Sequence, residues 1–92
     1  MNQDIKQLKA QSHSLKPVVI IGNNGLTEAV HQEIECALEA HELIKIKINA
    51  NDKAERQVMV DAICSTNQAV CVNQIGHIAA FYRKKTLDSN SF

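Results

Sequence analysis

The string Gly22-Asn23-Asn24-Gly25 lies between the run VVII and a long stretch whose apolar residues recur every three or four positions. Asn and Gly tolerate positive φ, so Asn24 and Gly25 can simply make a tight corner. A turn without bulky side chains also lets an anion reach main-chain amides, and a helix start adds the positive end of its dipole. Such a phosphate grip gains from cations nearby. Lys45 and Lys47 offer two in the alternating string ELIKIKIN, on the same side of a strand. Their plainer use is to guard a sheet edge against pairing.

Other combinations carry less chemistry. His31 and Glu35 stand one helical turn apart, but no third ligand follows at metal spacing, and His13, His41 and His77 are scattered. These histidines read as solvated or capping residues. Glu33, Glu35, Glu39 and Glu42 read as a solvated helix face, with nothing apolar to raise their pKa. The 22–25 turn lacks the Gly-Lys-Ser/Thr ending that gives a nucleotide-binding loop its phosphate Lys and Mg²⁺ hydroxyl. Phe81 and Tyr82 must point to opposite faces of one strand, one to the core and the other free to stack on a base.

The chain that must position these groups has 92 residues, enough for one modest core. At 45% hydrophobic but 3% aromatic, that core is built from Ile, Leu, Val and Ala. Three cysteines, with no C-x-x-C pair, suit reduced and mostly buried thiols rather than a disulfide framework. No apolar run approaches the ~20 residues of a membrane span, and residues 1–16 lack the apolar core of a signal peptide. A cytoplasmic protein with no membrane contact is the expectation.

The net charge of zero hides an uneven distribution. Residues 28–61 carry eight acids and four bases, whereas the flanks carry Lys6, Lys9, Lys16, Arg83, Lys84 and Lys85 against Asp4 and Asp88. If the flanks meet beside Lys45 and Lys47, one surface is basic and the helix face opposite is acidic.

Ile5 and Leu8 mark a short helix over 3–13, ending before Pro17. Val18 to Ile21 form a strand apolar on both faces, which predicts an interior strand covered on both sides. Leu26, Val30, Ile34, Ala37, Leu38 and His41 keep a helical period, with Thr27 or Asn24 as N-cap. Ile44, Ile46 and Ile48 then face the core from an alternating strand. Ala54, Val58 and Ala62, with Ile63, define a second long helix capped by Asn51 or Asp52. Residues 69–75 and 77–83 read as a hairpin turning at Gly76. The order α-β-α-β-α-β-β predicts an α+β or α/β fold, a small mixed four-stranded sheet with helices packed on it and one antiparallel strand. Strand order stays open. One domain over 1–85 and a mobile tail over 86–92 complete the expectation.

The strings LKPVVIIGNNGLTEAV, AHELIKIKI and QIGHIAAFYRK, in that order, resemble the CRM domain family, the chloroplast RNA splicing and ribosome maturation domain, in its bacterial stand-alone YhbY-like form. The resemblance spans roughly residues 4–85. It implies an RNA-binding module whose fold resembles the C-terminal domain of translation initiation factor three, with bacterial members associated with precursors of the large ribosomal subunit. The family's Gly-x-x-Gly loop falls on Gly22, Asn23, Asn24 and Gly25. Its basic positions fall on Lys16, Lys45, Lys47 and Arg83, with Lys84 beside them. The first variable loop position, often Lys in the family, is Asn23 here.

With the helix-capping Thr27, these residues form the expected RNA site. The expected partner is RNA, in particular precursor large-subunit rRNA, with ribosomal proteins as a further class. A monomer with no cofactor, no metal and no enzymatic activity is expected. Two alternatives remain: a small nucleotide-binding enzyme using the 22–25 turn as a phosphate loop, and a protein-interaction domain using the acidic helix face.

Overall fold

The computed structural model describes residues 5–84. Lys85, the first two residues of the expected N-terminal helix and the expected tail lie outside them. The elements follow the anticipated order: α1 (Ile5–Ser12), β1 (Pro17–Ile21), α2 (Glu28–His41), β2 (Leu43–Ile48), α3 (Lys53–Thr66), β3 (Val70–Ile75) and β4 (Ile78–Tyr82). The fold is a mixed α+β sheet in the order β1-β2-β4-β3. β1 and β2 are parallel, and β4 runs antiparallel to both β2 and β3. The last strand of the hairpin thus enters the middle of the sheet.

Alternation in β2 divides the two faces. Ile44, Ile46 and Ile48 are buried, and with Val19, Ile21, Ala79 and Phe81 they meet Ile34 and Leu38 of α2 and Val60 and Ile63 of α3. On the other face Leu8 of α1 packs with Val72 and Ala80, joined by Leu43 and Tyr82. α1 is short, so it covers only part of that face. Thr27 caps α2, its hydroxyl accepting from the Val30 amide at 3.2 Å. Asp52 caps α3, accepting from the Glu55 amide at 2.7 Å while Glu55 reaches back to the Asn51 amide at 2.8 Å. The pair resembles a capping box, with the returning bond made to the residue before the cap rather than to the Asp52 amide itself.

Several expectations need correction. β1 is an edge strand: Val19 and Ile21 are buried, but Val18 and Ile20 are 49% and 62% exposed. Four successive β-branched residues look alike in an interior strand and in an edge strand with one face bare. β2 is interior, so Lys45 and Lys47 are not guarding an edge. The edges carry irregularities instead, between Pro17 and Val19 in β1 and between Cys71 and Asn73 in β3. In α3 the buried stripe is Val60 and Ile63 with Met59 and Cys64 packed beside them, while Val58 is 67% exposed. Both stripes fit a helical period, and tertiary packing selects the bulkier one. His41 is exposed rather than on the core stripe, and Cys36 is exposed rather than buried.

Candidate functional site

The 22–25 segment is a hydrogen-bonded turn, the Gly25 amide donating to the Gly22 carbonyl at 3.1 Å. Gly25 has φ +73°, and a Cβ there would lie 3.7 Å from the Met59 methyl. Its glycine is therefore explained by backbone conformation. Gly22 differs: its φ is not positive, and a Cβ would meet nothing within 4 Å. Neither backbone conformation nor packing in the fold requires glycine at 22.

Asn23 and Asn24 are exposed at the tip. The Gly25 amide is consumed within the turn and the Val30 amide by the Thr27 cap. Among the described residues the amides of Asn23, Asn24, Glu28 and Ala29 have no such acceptor, and the last two open α2. Thr27 therefore acts by starting the helix at the loop.

The loop lies where β1 and β2 end side by side. Ile21 pairs with Ile48, and the Asn49 amide donates to the Ile21 carbonyl at 3.1 Å. The β3–β4 turn is pinned to the same end, the Ile48 amide donating to the His77 carbonyl at 2.7 Å. Ile20 pairs with Lys47, and Lys47 with Ile78 on the other side. One row thus carries an exposed ammonium between aliphatic residues beside the loop. Lys45 lies one row further in, half-buried, between Pro17 and Ala80. Neither lysine makes an ion pair among the described residues.

Lys16 precedes β1 and is exposed at the far end of that strand, about 20 Å from the loop at ~3.3 Å per residue. Lys84 is exposed just beyond β4, at the end away from the loop. Arg56 was not singled out by sequence. It stands one helical turn before Val60, on the sheet-facing side of α3, and three residues before Met59, whose methyl faces Gly25. Its Nε is buried without a hydrogen-bond partner among the described residues. A basic residue in phase with Val60 and Ile63, where an apolar one belongs, was the available signal.

Arg83 belongs to a different site. Its backbone amide donates to the Glu42 carbonyl at 2.9 Å, at the opposite end of the sheet from the 22–25 turn. Its guanidinium donates to Glu35 Oε2 at 2.8 Å, the Asn67 carbonyl at 2.9 Å and Glu39 Oε2 at 3.4 Å. The buried Asn67 amide donates to Glu35 Oε1 at 3.0 Å and to the His31 carbonyl at 3.1 Å, while His31 Nδ1 lies 2.9 Å from Asn67 Oδ1. Since Oδ1 can only accept, His31 Nδ1 is the donor. The Asn67 hydrogen bond, backed by Arg83, holds the Glu35 carboxyl below its ordinary 4.5 against the opposing push of partial burial. Glu35, Glu39 and His31 are thus structural partners rather than a purely solvated face.

The remaining candidates are quiet. Tyr82 is half-buried against α1, and Phe81 is fully buried. Burial pushes the Cys64 and Cys71 thiols above their ordinary 9.0, which disfavours the reactive thiolate. Among the described residues no three His, Cys, Asp or Glu side chains gather as a metal site, and no helix is long and apolar enough to cross a membrane.

A family model described as the CRS1 / YhbY (CRM) domain matches residues 1–83. An RNA-binding protein of Haemophilus influenzae is 49% identical over 76 residues, covering 83% of this chain and 77% of the relative. A probable RNA-binding protein of Pseudomonas aeruginosa is 44% identical over 79 residues, covering 86% of this chain and 76% of the relative. The solution structure of a hypothetical protein from Staphylococcus aureus superposes with a TM-score of 0.80 at 24% identity, covering 89% of this chain and 85% of that one. That likeness concerns the fold.

Proposed function

The chain belongs to the CRS1 / YhbY (CRM) domain family, and from that premise we propose that it is a non-enzymatic, cytoplasmic RNA-binding protein that acts as a monomer in assembly of the large ribosomal subunit, on precursor rRNA. The 22–25 turn and the start of α2 take one phosphate on unused amides, and Lys45 and Lys47 take its neighbours. Lys16 extends the basic track along β1, and Arg56 adds a cation behind the loop. Arg83 is left out, because its guanidinium is already committed to two carboxylates and a carbonyl. Lys84 is a peripheral contact. The observation that carries this reading is the pair of unpaired lysines on an interior strand, beside a loop whose Gly22 no conformational need explains.

Gly22→Ala tests the grip directly. The fold accepts a Cβ at 22, so the melting temperature stays put while affinity for a labelled single-stranded RNA falls several-fold. Unchanged affinity would reduce the loop to a corner. The wild-type affinity should also fall with salt at a log-log slope of about −0.7 per phosphate contact. Incubation with ATP and Mg²⁺ should yield no turnover, and hydrolysis by the pure protein would favour the nucleotide-binding alternative. For the ribosomal role, the protein should co-sediment with immature large subunits in cell extract at low salt; its presence only in the free fraction would count against it.

A further inference from the structure

The face of the sheet that α1 leaves partly open carries a second feature besides its lysines. Between the end of α1 and the β3–β4 hairpin lies a cavity of about 230 Å³, lined by His13, Lys45, Asn73, Ile75, Ile78 and Ala80. It falls below the ~300–1,000 Å³ of pockets that enclose a drug-sized ligand, so it suits one planar ring system. The irregularity between Cys71 and Asn73 sets Asn73 opposite Ala80, beside Val72, which packs under α1. The half-buried Asn73 side-chain amide makes no hydrogen bond among the described residues. The Lys45 ammonium is likewise unpaired.

We propose that this cavity takes an unpaired nucleobase of the bound RNA. The ring rests on Ile78, Ala80 and the 64% exposed Ile75, Asn73 pairs with its polar edge as both donor and acceptor, and His13 closes over it from the end of α1. Lys45 meets the adjoining phosphate. The cavity lies about 10 Å along β2 from the 22–25 turn, at ~3.3 Å per residue, so one strand of RNA can reach both. A base inside a duplex cannot enter, because its edge is paired and its faces are stacked. The protein therefore selects RNA with an exposed loop or bulge. This rests on the RNA-binding reading above and adds a base-reading subsite to its phosphate grip.

The test compares a labelled RNA hairpin carrying an unpaired loop with a blunt duplex of equal length, at one salt concentration. Wild type should prefer the hairpin by about tenfold, the worth of one good hydrogen bond plus apolar burial. Asn73→Leu fills the cavity and removes the amide, so the preference should fall to near unity while duplex affinity is kept. Asn73→Ser, which leaves the cavity open but shortens the donor, should fall between them and serves if the Leu variant does not fold. The Asn73 side-chain amide resonance should shift with the hairpin and not with the duplex. Equal affinity of wild type for both RNAs, or an unchanged preference in the folded Asn73 variants, would overturn the subsite and leave the phosphate grip standing. Absence of binding to either RNA at low salt would overturn both.

Discussion

The two ends of the sheet hold cations in opposite conditions. At one end, Lys47 stands unpaired among isoleucines, beside a turn with unused amides. At the other, Arg83 is 19% exposed and spends its donors on Glu35, Glu39 and the Asn67 carbonyl. Both residues are basic and both fall on family-like positions, yet only Lys47 has charge to offer a ligand. Whether a cation is available is decided by the carboxylates the fold brings to it.

The sharpest way to break this contrast is to reverse the open end. Lys45→Glu with Lys47→Glu should weaken RNA binding by about 100-fold at low salt, ~1.4 kcal/mol per residue, and flatten the salt slope by about 1.4. The melting temperature should barely move, because neither ammonium supports a partner. Loss of folding would mean that the lysines are structural after all.

Arg83→Ala should do the converse. It strands Glu35 and the Asn67 carbonyl, and the cost should be about 1–2 kcal/mol, discounted from a fully buried pair because Glu35 is itself 46% exposed. That corresponds to a Tm lower by roughly 5–15 °C in a domain of this size. RNA affinity per folded molecule should stay within about twofold. A larger loss of affinity at unchanged Tm would move Arg83 into the interface.

Asn23→Lys sharpens the open end. An ammonium at the rim of the turn should tighten RNA binding by ~1 kcal/mol at low salt and steepen the salt slope by about 0.7. No change in either would place the tip of the loop away from the RNA.

The smallest effect concerns the closed end in acid. Because the folded pKa of Glu35 lies below its ordinary 4.5, ionised Glu35 adds stability above that pH and loses it as pH falls through the lower folded value. The stability gap between wild type and Glu35→Gln should accordingly be widest near neutrality and shrink below pH 4.5. A gap independent of pH, followed by chemical denaturation, would show that the Asn67 and Arg83 bonds do not depend on the charge.

Much of this architecture was legible in the residues. Alternation through Ile44, Ile46 and Ile48 fixed both the strand and the side from which Lys45 and Lys47 project, and Gly76 marked the hairpin. Period and turn chemistry are local, so sequence carries them. Strand order is not local: Val18 to Ile21 satisfy an interior strand and a half-bare edge equally well. The register of α3 failed similarly, since the stripes through Val58 and through Val60 differ only in what lies across from them. The Arg83 ion pair was not legible because its partners are 16 to 48 residues away in the chain. The cavity beyond the end of α1 includes Asn73, whose place opposite Ala80 follows an irregular ladder step that leaves no mark in composition.

β4 is the last strand of the described chain, yet it supplies the sheet's middle and the fully buried Phe81. During synthesis, β2 and β3 emerge before the strand that joins them, so neither can complete its ladder until Tyr82 has left the ribosome. Long-range pairing of this kind delays folding and makes it cooperative. A nascent chain stopped short of Ile78 would lack both antiparallel ladders and one wall of the cavity, with its isoleucines exposed and no RNA surface assembled. Such truncated products would be substrates for proteolysis rather than partly competent binders.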